Sequence, residues 1–476
     1  MAKYRCPMCG WVYDEQAEGA PFSELERCPM CGAPAAEFYP VEDDGVTPAP
    51  VDPAPAPVSA SVPKEAGGSL AIPAELRRVD PAIRHMDTIH ALAEHGRIPD
   101  GAMATTLPLP RWEDILVLGA QLSPMPLADG APVDIGCTIG PKADRPLALE
   151  GPAFVSHMSF GALSREAKIA LARGAAAAGT ATCSGEGGIL PEELAEAGGR
   201  YIFEFAPLRY SVTDENLRAA GAVEIKIGQG TKPGMGGHLP GEKVTEEIAR
   251  IRGRRPGEDI VSPSTIPGVE TIDDLRMLVD ELRERSCGAP IGIKLAAGHI
   301  ERDVASAVLA GADFITIDGR GGATGASPAM LRDASSVPTI FALARARRCL
   351  DELGSSASLI ITGGLRVASD IVKALAMGAD AVALASASLM ALGCQQYRIC
   401  GSGMCPMGIA TQDPELRARL DVDAGARRVE NFYRATFGDL RMFCRVTGHP
   451  SISELGLDDL VTTDAGIAER CGIARA

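Results

Sequence analysis

Short apolar runs recur through the later part of the chain: AFVSHM (153–158), VEIKIG (223–228), IGIKLA (291–296), DFITID (313–318), SLIITG (358–363) and AVALAS (381–386). None alternates cleanly between polar and apolar positions, so each predicts a strand buried on both faces. Amphipathic or Ala-rich stretches at 164–178, 302–310, 338–353 and 368–377 predict helices between them. Buried strands joined through helices predict parallel pairing. Lys294, DGRGG (318–322) and the Gly363–Gly364 pair all fall at or just after strand ends. A (β/α)8 barrel of TIM type carries its site there, and that α/β fold is the expectation. A doubly wound open sheet competes, but no first-turn dinucleotide fingerprint supports it.

The beginning of the chain obeys a different rhythm. Residues 1–39 are rich in cysteine and predict a small metal-binding domain. Residues 40–68 are Pro, Ala, Val and acidic residues without apolar periodicity, the composition of an extended linker. Residues 69–150 predict an extension of the main domain, with one helix in PAIRHMDTIHALAEHG, stopped by Gly96. The barrel itself is expected over 151–476.

Charge and composition narrow the function. A formal net charge of −16 argues against nucleic acid as a main partner. The opening MAKYRCPMCG has no apolar signal region, and the longest uncharged run, 381–397, is too short and polar to span a membrane. A cytoplasmic protein is expected, in which cysteines serve as metal ligands or buried thiols rather than disulfides. Cys6, Cys9, Cys28 and Cys31 form two C-x2-C knuckles that suit one tetrahedral iron or zinc. Cys394, Cys400 and Cys405 form a separate group within LGCQQYRICGSGMCPMGIATQ (392–412). Three thiolates are one short of the usual four-cysteine iron–sulfur ligation. A zinc site completed by His449 or an outlying cysteine is the alternative. Gly363 and Gly364 open a helix and suit a phosphate, with ALASASL (383–389) as the other wall. KIGQGTKPGMGGHLPGEKV (226–244) suits a loop wrapped around a ligand. Lys294, inside an apolar strand, must pair or face a polar site, where it could stabilise an anionic ring.

These stretches carry a resemblance. MSFGALS, SGEGG, QGTKPGMGGHLPGEKV, SPSTIPGVETIDDL, GIKLAAG, GRGGATGASP, GGLRVASDIVKALAMGADAV and the cysteine loop resemble the FMN-binding synthase domain of glutamate synthases, in that family's order. The chain is most similar to compact stand-alone members from archaea and some bacteria. CGWVYD and CGAPAAEFYPVE resemble the two halves of a rubredoxin.

The resemblance implies FMN and a 3Fe–4S cluster on Cys394, Cys400 and Cys405. It implies reductive amination of 2-oxoglutarate with ammonia, through 2-iminoglutarate and a hydride from reduced FMN. Met158, Ser159 and Gly161 would lie against the flavin, Gln229 and Lys294 would contact its ring, and Gly363, Gly364 and Ser386 would hold its phosphate. Glu186 would handle the ammonia proton, and Arg209 and Lys232 would hold the substrate carboxylates.

Departures from the longer relatives shape the expected partners. There is no room before residue 110 for a glutamine-hydrolysing domain and no nicotinamide fingerprint. Ammonia is therefore expected free or from a separate glutaminase subunit, and electrons from a donor subunit, a ferredoxin or the knuckles. A homo-oligomer is compatible with the chain. Met235 stands where long relatives have glutamate, which leaves the amine open. A related flavoenzyme using another amine or oxo acid, such as an N-methylglutamate synthase subunit, and a non-catalytic electron-transfer subunit are the alternatives.

Overall fold

The structure is a computed structural model that describes residues 104–322 and 327–476, and before them 3–5, 12–18, 21–25, 27, 34–41, 76, 78, 80 and 85–95. The chain divides into two units, Met1–Leu70 and Ala71–Ala476. In the first, strand Lys3–Arg5 pairs antiparallel with Val12–Asp14 on one side and Tyr39–Val41 on the other. Phe22 stacks on Tyr4 at 3.9 Å between centroids and meets Tyr13 at 5.6 Å and Phe38 at 5.4 Å. Aromatic rings let so small a sheet bury useful apolar area. Cys6, Cys9, Cys28 and Cys31 lie outside the described residues, as do positions 42–68 of the expected linker.

In the second unit, eight strands form a ring: β1 (Ala153–Val155), β2 (Thr182–Cys183), β3 (Tyr201–Phe205), β4 (Ala222–Lys226), β5 (Ile291–Ala296), β6 (Phe314–Asp318), β7 (Ser358–Thr362) and β8 (Ala381–Leu384). Each pairs in parallel with the next, and β8 returns to β1, closing the barrel. All six predicted runs are strands. A helix follows each: α1 (Arg165–Ala177), α2 (Pro191–Glu196), α3 (Asp214–Ala219), α4 (Ile272–Arg285), α5 (Ile300–Leu309), α6 (Thr339–Glu352), α7 (Ala368–Ala376) and α8 (Ser386–Leu392). Local chemistry starts them well: Ser164 accepts from the Ala167 N–H, and Thr271 and Asp274 form a capping box. A long helix, α9 (Val422–Thr447), packs along α1, with the Arg434 guanidinium donating to the Ala177 carbonyl at 2.7 Å. Among the described residues, no helix is long and apolar enough to cross a membrane.

The barrel interior is graded from apolar to ionic. Strand side chains alternate with period two, so every second residue points inward. At the far end Phe154, Ile202, Ala222, Phe314, Ile360 and Ala381 pack together, under a hairpin of Cys137–Ile139 and Leu147–Leu149. Gly292 makes room there: a Cβ on it would come within 2.1 Å of the Phe314 ring. Further along, parallel register sets Glu204 beside Glu224, and Lys294 between Lys226 and Thr316. The expectation of strands buried on both faces holds, with buried ionic side chains at one end.

Candidate functional site

The inward charges sort into pairs. Lys294 Nζ lies 3.2 Å from Glu204 Oε2, and Lys226 Nζ lies 3.7 Å from Glu204 Oε1. Burial opposes ionisation of Glu204, but Lys294 and Lys226 outweigh it and hold the carboxyl at about 2. Burial likewise disfavours the Lys294 ammonium, yet the Glu204 carboxylate raises it above the ordinary lysine value. Glu224 is flanked by His157 and by the Thr316 hydroxyl. Lys294 is therefore a fully buried ammonium paired with Glu204 at the strand end where the sequence predicts a site.

Glu186, on the turn after β2, reaches the same network. Lys226 donates to it, Ser262 donates to its other oxygen, and Lys226 also donates to Gln229 at 2.7 Å. Burial works to raise the Glu186 carboxyl, but Lys226 and Ser262 keep it below the ordinary value. The glycine-rich loop lies directly on this carboxylate: a Cβ on Gly237 would sit 2.4 Å from Glu186 Oε2. Lys232, on that loop, is buried and donates to the Gly236 carbonyl at 2.5 Å. Burial, with Lys226 nearby, pushes it down to about 8. An anion arriving here would meet a cation with few competing partners.

Arg209 is exposed, adopts a left-handed backbone with φ 52° and stacks over Phe205 at 5.7 Å. Arg252, at the end of helix Glu246–Arg252, holds the buried position instead. One of its nitrogens donates to the Phe160 carbonyl at 2.7 Å, its guanidinium lies over Tyr210 at 5.4 Å, and its Nε has no hydrogen-bond partner. A buried guanidinium N–H without an acceptor marks space for one. Sequence reading missed this residue. The available signal was an arginine ending a short helix that follows directly on the glycine-rich loop.

Beside this cluster opens a cavity lined by Ser156, His157, Gln229, Lys294, Asp318, Gly363, Gly364, Arg366 and Ser386, among others. Gly363 and Gly364 have φ of 115° and 101°, a backbone closed to most side chains. Arg366 adds a cation at this end, although burial lowers its basicity; the glycines alone did not point to it. Met158, Ser159 and Gly161 lie further along the loop after β1, outside that lining. They are tied down by Lys168 of α1. Its ammonium donates to the carbonyls of Met158 at 2.5 Å, Cys183 at 3.0 Å and Ser184 at 3.1 Å, and pairs with Glu193 at 2.8 Å.

Cys394, Cys400 and Cys405 follow α8 on one loop. The Gln396 backbone and side-chain N–H groups donate to the Cys394 sulfur at 3.4 and 3.2 Å. Lys243 donates to the Cys400 and Gly401 carbonyls at 2.9 and 2.6 Å. Burial first, then the nearby Cys394 and Cys405 sulfurs, raises the Cys400 thiol. N–H donors and a lysine around three thiols suit thiolates that carry a metal cluster. Gln396 and Arg398, from the same loop, also line the cavity. His449 is engaged elsewhere, 2.9 Å from Asp459.

Comparison with known proteins identifies the family and the fold. A family profile described as "Conserved region in glutamate synthase" matches residues 111–450. The archaeal-type glutamate synthase (NADPH) of Thermotoga maritima is 39% identical over 410 residues, 81% of this chain and 81% of that protein. The archaeal glutamate synthase (NADPH) of Methanocaldococcus jannaschii is 42% identical over 313 residues, 65% of this chain and 61% of that one. A crystal structure of a point mutant of the active chimera of (S)-mandelate dehydrogenase shares the fold, with TM-score 0.50 and 17% identity over 73% of this chain and 88% of the other. The chain belongs to the glutamate synthase family and is an oxidoreductase.

Proposed function

We propose that this protein is a glutamate synthase-type flavoenzyme that reductively aminates 2-oxoglutarate with ammonia. One observation carries the reading: Lys226 joins Glu186 and Gln229 in a single buried network, under the loop that bears Lys232 and beside a cavity floored by Lys294. The cavity residues suit FMN. Gly363, Gly364, Ser386 and Arg366 would receive its phosphate, and Lys294 and Gln229 its ring. Met158, Ser159 and Gly161 would border the ring side. Cys394, Cys400 and Cys405 would hold a 3Fe–4S cluster, and the N-terminal knuckles an iron or zinc. Bound FMN supplies the hydride acceptor and donor of the reaction.

The chain's own residues supply the rest. Lys232 and Arg252 hold the two carboxylates of the substrate, a charge-assisted contact for each. Glu186, kept ionised by Lys226, attracts an ammonium ion, takes a proton from the nitrogen as it adds to the keto carbon, and returns it to the resulting hydroxyl, which leaves as water to give the imine. The glycine-rich loop closes over Glu186 and excludes water, so that the imine is reduced before it hydrolyses. Electrons come from a separate donor subunit or a ferredoxin. Ammonia comes free or from a separate glutaminase subunit.

FMN, iron and zinc content per chain, with an electron spin resonance spectrum, tests the cofactor set. Anaerobic turnover with an artificial one-electron reductant, 2-oxoglutarate and ammonia tests the reaction. Reconstituted protein that binds no FMN, or that makes glutamate at no measurable rate while another amine and oxo-acid pair turns over, refutes the proposal.

A further inference from the structure

Around the barrel mouth the buried carboxylates can be matched with donors one at a time. Glu186 has Lys226 and Ser262; Glu204 has Lys294 and Lys226; Glu224 has Thr316 and His157. Asp318, at the end of β6, differs: among the described residues no cation lies in ion-pair range of it, whereas Glu224 Oε2 has His157. It is buried, its Oδ1 has no hydrogen-bond partner among the described residues, and it lines the cavity beside Lys294, Gly322 and Gly363. Its position is confined. A Cβ on Gly322 would come within 2.5 Å of that same Oδ1, and one on Gly230 would lie 3.7 Å from Oδ2.

A buried oxygen without a donor is unfavourable, and more so when ionised. The Lys294 ammonium donates to Glu204 rather than to this oxygen. Burial pushes the Asp318 carboxyl up, against the opposing pull of Lys294 on β5, His157 after β1 and Lys226 on β4. An enclosed site can keep a carboxylic acid neutral so that it donates a hydrogen bond.

We propose that Asp318 is held as a neutral acid and donates its hydrogen to an acceptor atom of the ring bound in this cavity. The inference rests on the reading that FMN occupies the cavity. It adds a contact that neither the glycine-rich stretches nor the resemblance singled out. Reduction adds electron density to the acceptor edge of a flavin, so a donor there favours the reduced form over the oxidised one.

The test uses holoenzyme carrying Asp318→Asn or Asp318→Ala. Equilibrium dialysis gives FMN affinity, and spectroelectrochemistry gives the midpoint potential. An amide donates like a neutral acid. Asp318→Asn is therefore expected to keep FMN affinity within tenfold of wild type and to move the two-electron potential by less than about 30 mV. Asp318→Ala is expected to weaken FMN at least tenfold and to lower the potential by about 30 mV or more, because the reduced form loses most. Thermal unfolding of the FMN-free variants separates a packing defect from a lost contact. If the alanine variant fails to fold, the asparagine variant alone decides. A potential raised well beyond about 30 mV in Asp318→Asn would mean that a negative charge had been removed, and it would overturn the proposal. So would an alanine variant that matches wild type in both readouts. A wild-type protein that binds no FMN would instead remove the reading on which the proposal stands.

Discussion

Replacing Lys168 by methionine keeps the length of the side chain and removes only its charge and donors. Glu193, fully buried, is then left with the Tyr201 hydroxyl at 3.2 Å, and the carbonyls of Met158, Cys183 and Ser184 lose their shared donor. Removing one partner of a buried ion pair costs about 3–5 kcal/mol. Neutralising the carboxylate limits the loss. Burial already raises Glu193 to about 7 against the pull of Lys168. Holding it protonated at neutral pH, against an ordinary value near 4.5, costs roughly 3 kcal/mol, so the two estimates agree. The sign with pH follows. A carboxyl raised on folding contributes stability that is present below its unfolded value and lost as pH rises through its folded one. Without Lys168 the folded value rises further, so the deficit of Lys168→Met should grow between about pH 6 and about pH 9. Urea unfolding of the cofactor-free protein, followed by circular dichroism at both pH values, measures it. Adding Glu193→Gln should recover part of the loss and flatten the pH dependence. A single variant within about 1 kcal/mol of wild type at both pH values, or a deficit that shrinks as pH rises, refutes the reasoning.

Further outcomes are expected at the site. Arg252→Ala should raise KM for 2-oxoglutarate by at least tenfold, the scale of a lost charge-assisted bond of about 1.5–3 kcal/mol, while Arg209→Ala changes it little; steady-state kinetics that show the reverse would move the carboxylate contact to Arg209. Lys232 loses its charge as pH rises through about 8, so KM for 2-oxoglutarate should climb above that pH in wild type and stay flat in Lys232→Gln. Gly292→Ala should destabilise the barrel by about 1–3 kcal/mol in urea unfolding, because the added methyl meets the Phe314 ring. Cys400→Ser should lower iron per chain and abolish the cluster's spin resonance signal, with FMN content retained.

What could be read from sequence follows how local each signal is. IGIKLA announces β5, because a run of apolar residues with flanking glycines is decided within the segment itself. β2 escapes notice because it is only Thr182–Cys183, and β3 because Glu204 interrupts the apolar run YIFEF. The cysteine loop and the glycine pair are equally local, so their positions were legible. The ionic layer was not. Glu204, Glu224, Lys226 and Lys294 become partners only through the register of three strands, which no single segment encodes. Arg209 came from the resemblance carried by RYSVT, whereas Arg252 reaches the interior from a helix that reads as merely charged.

Helix α9 has a consequence for the timing of synthesis. It lies against α1, and Tyr433 within it bonds Ser388 at the start of α8 at 2.7 Å. The segment that braces the seam between β8 and β1 is thus translated after every barrel strand. During translation, a nascent chain has already presented the cysteine loop while that seam still lacks its brace. A chain ended before residue 422 would hold its eight strands without their clamp.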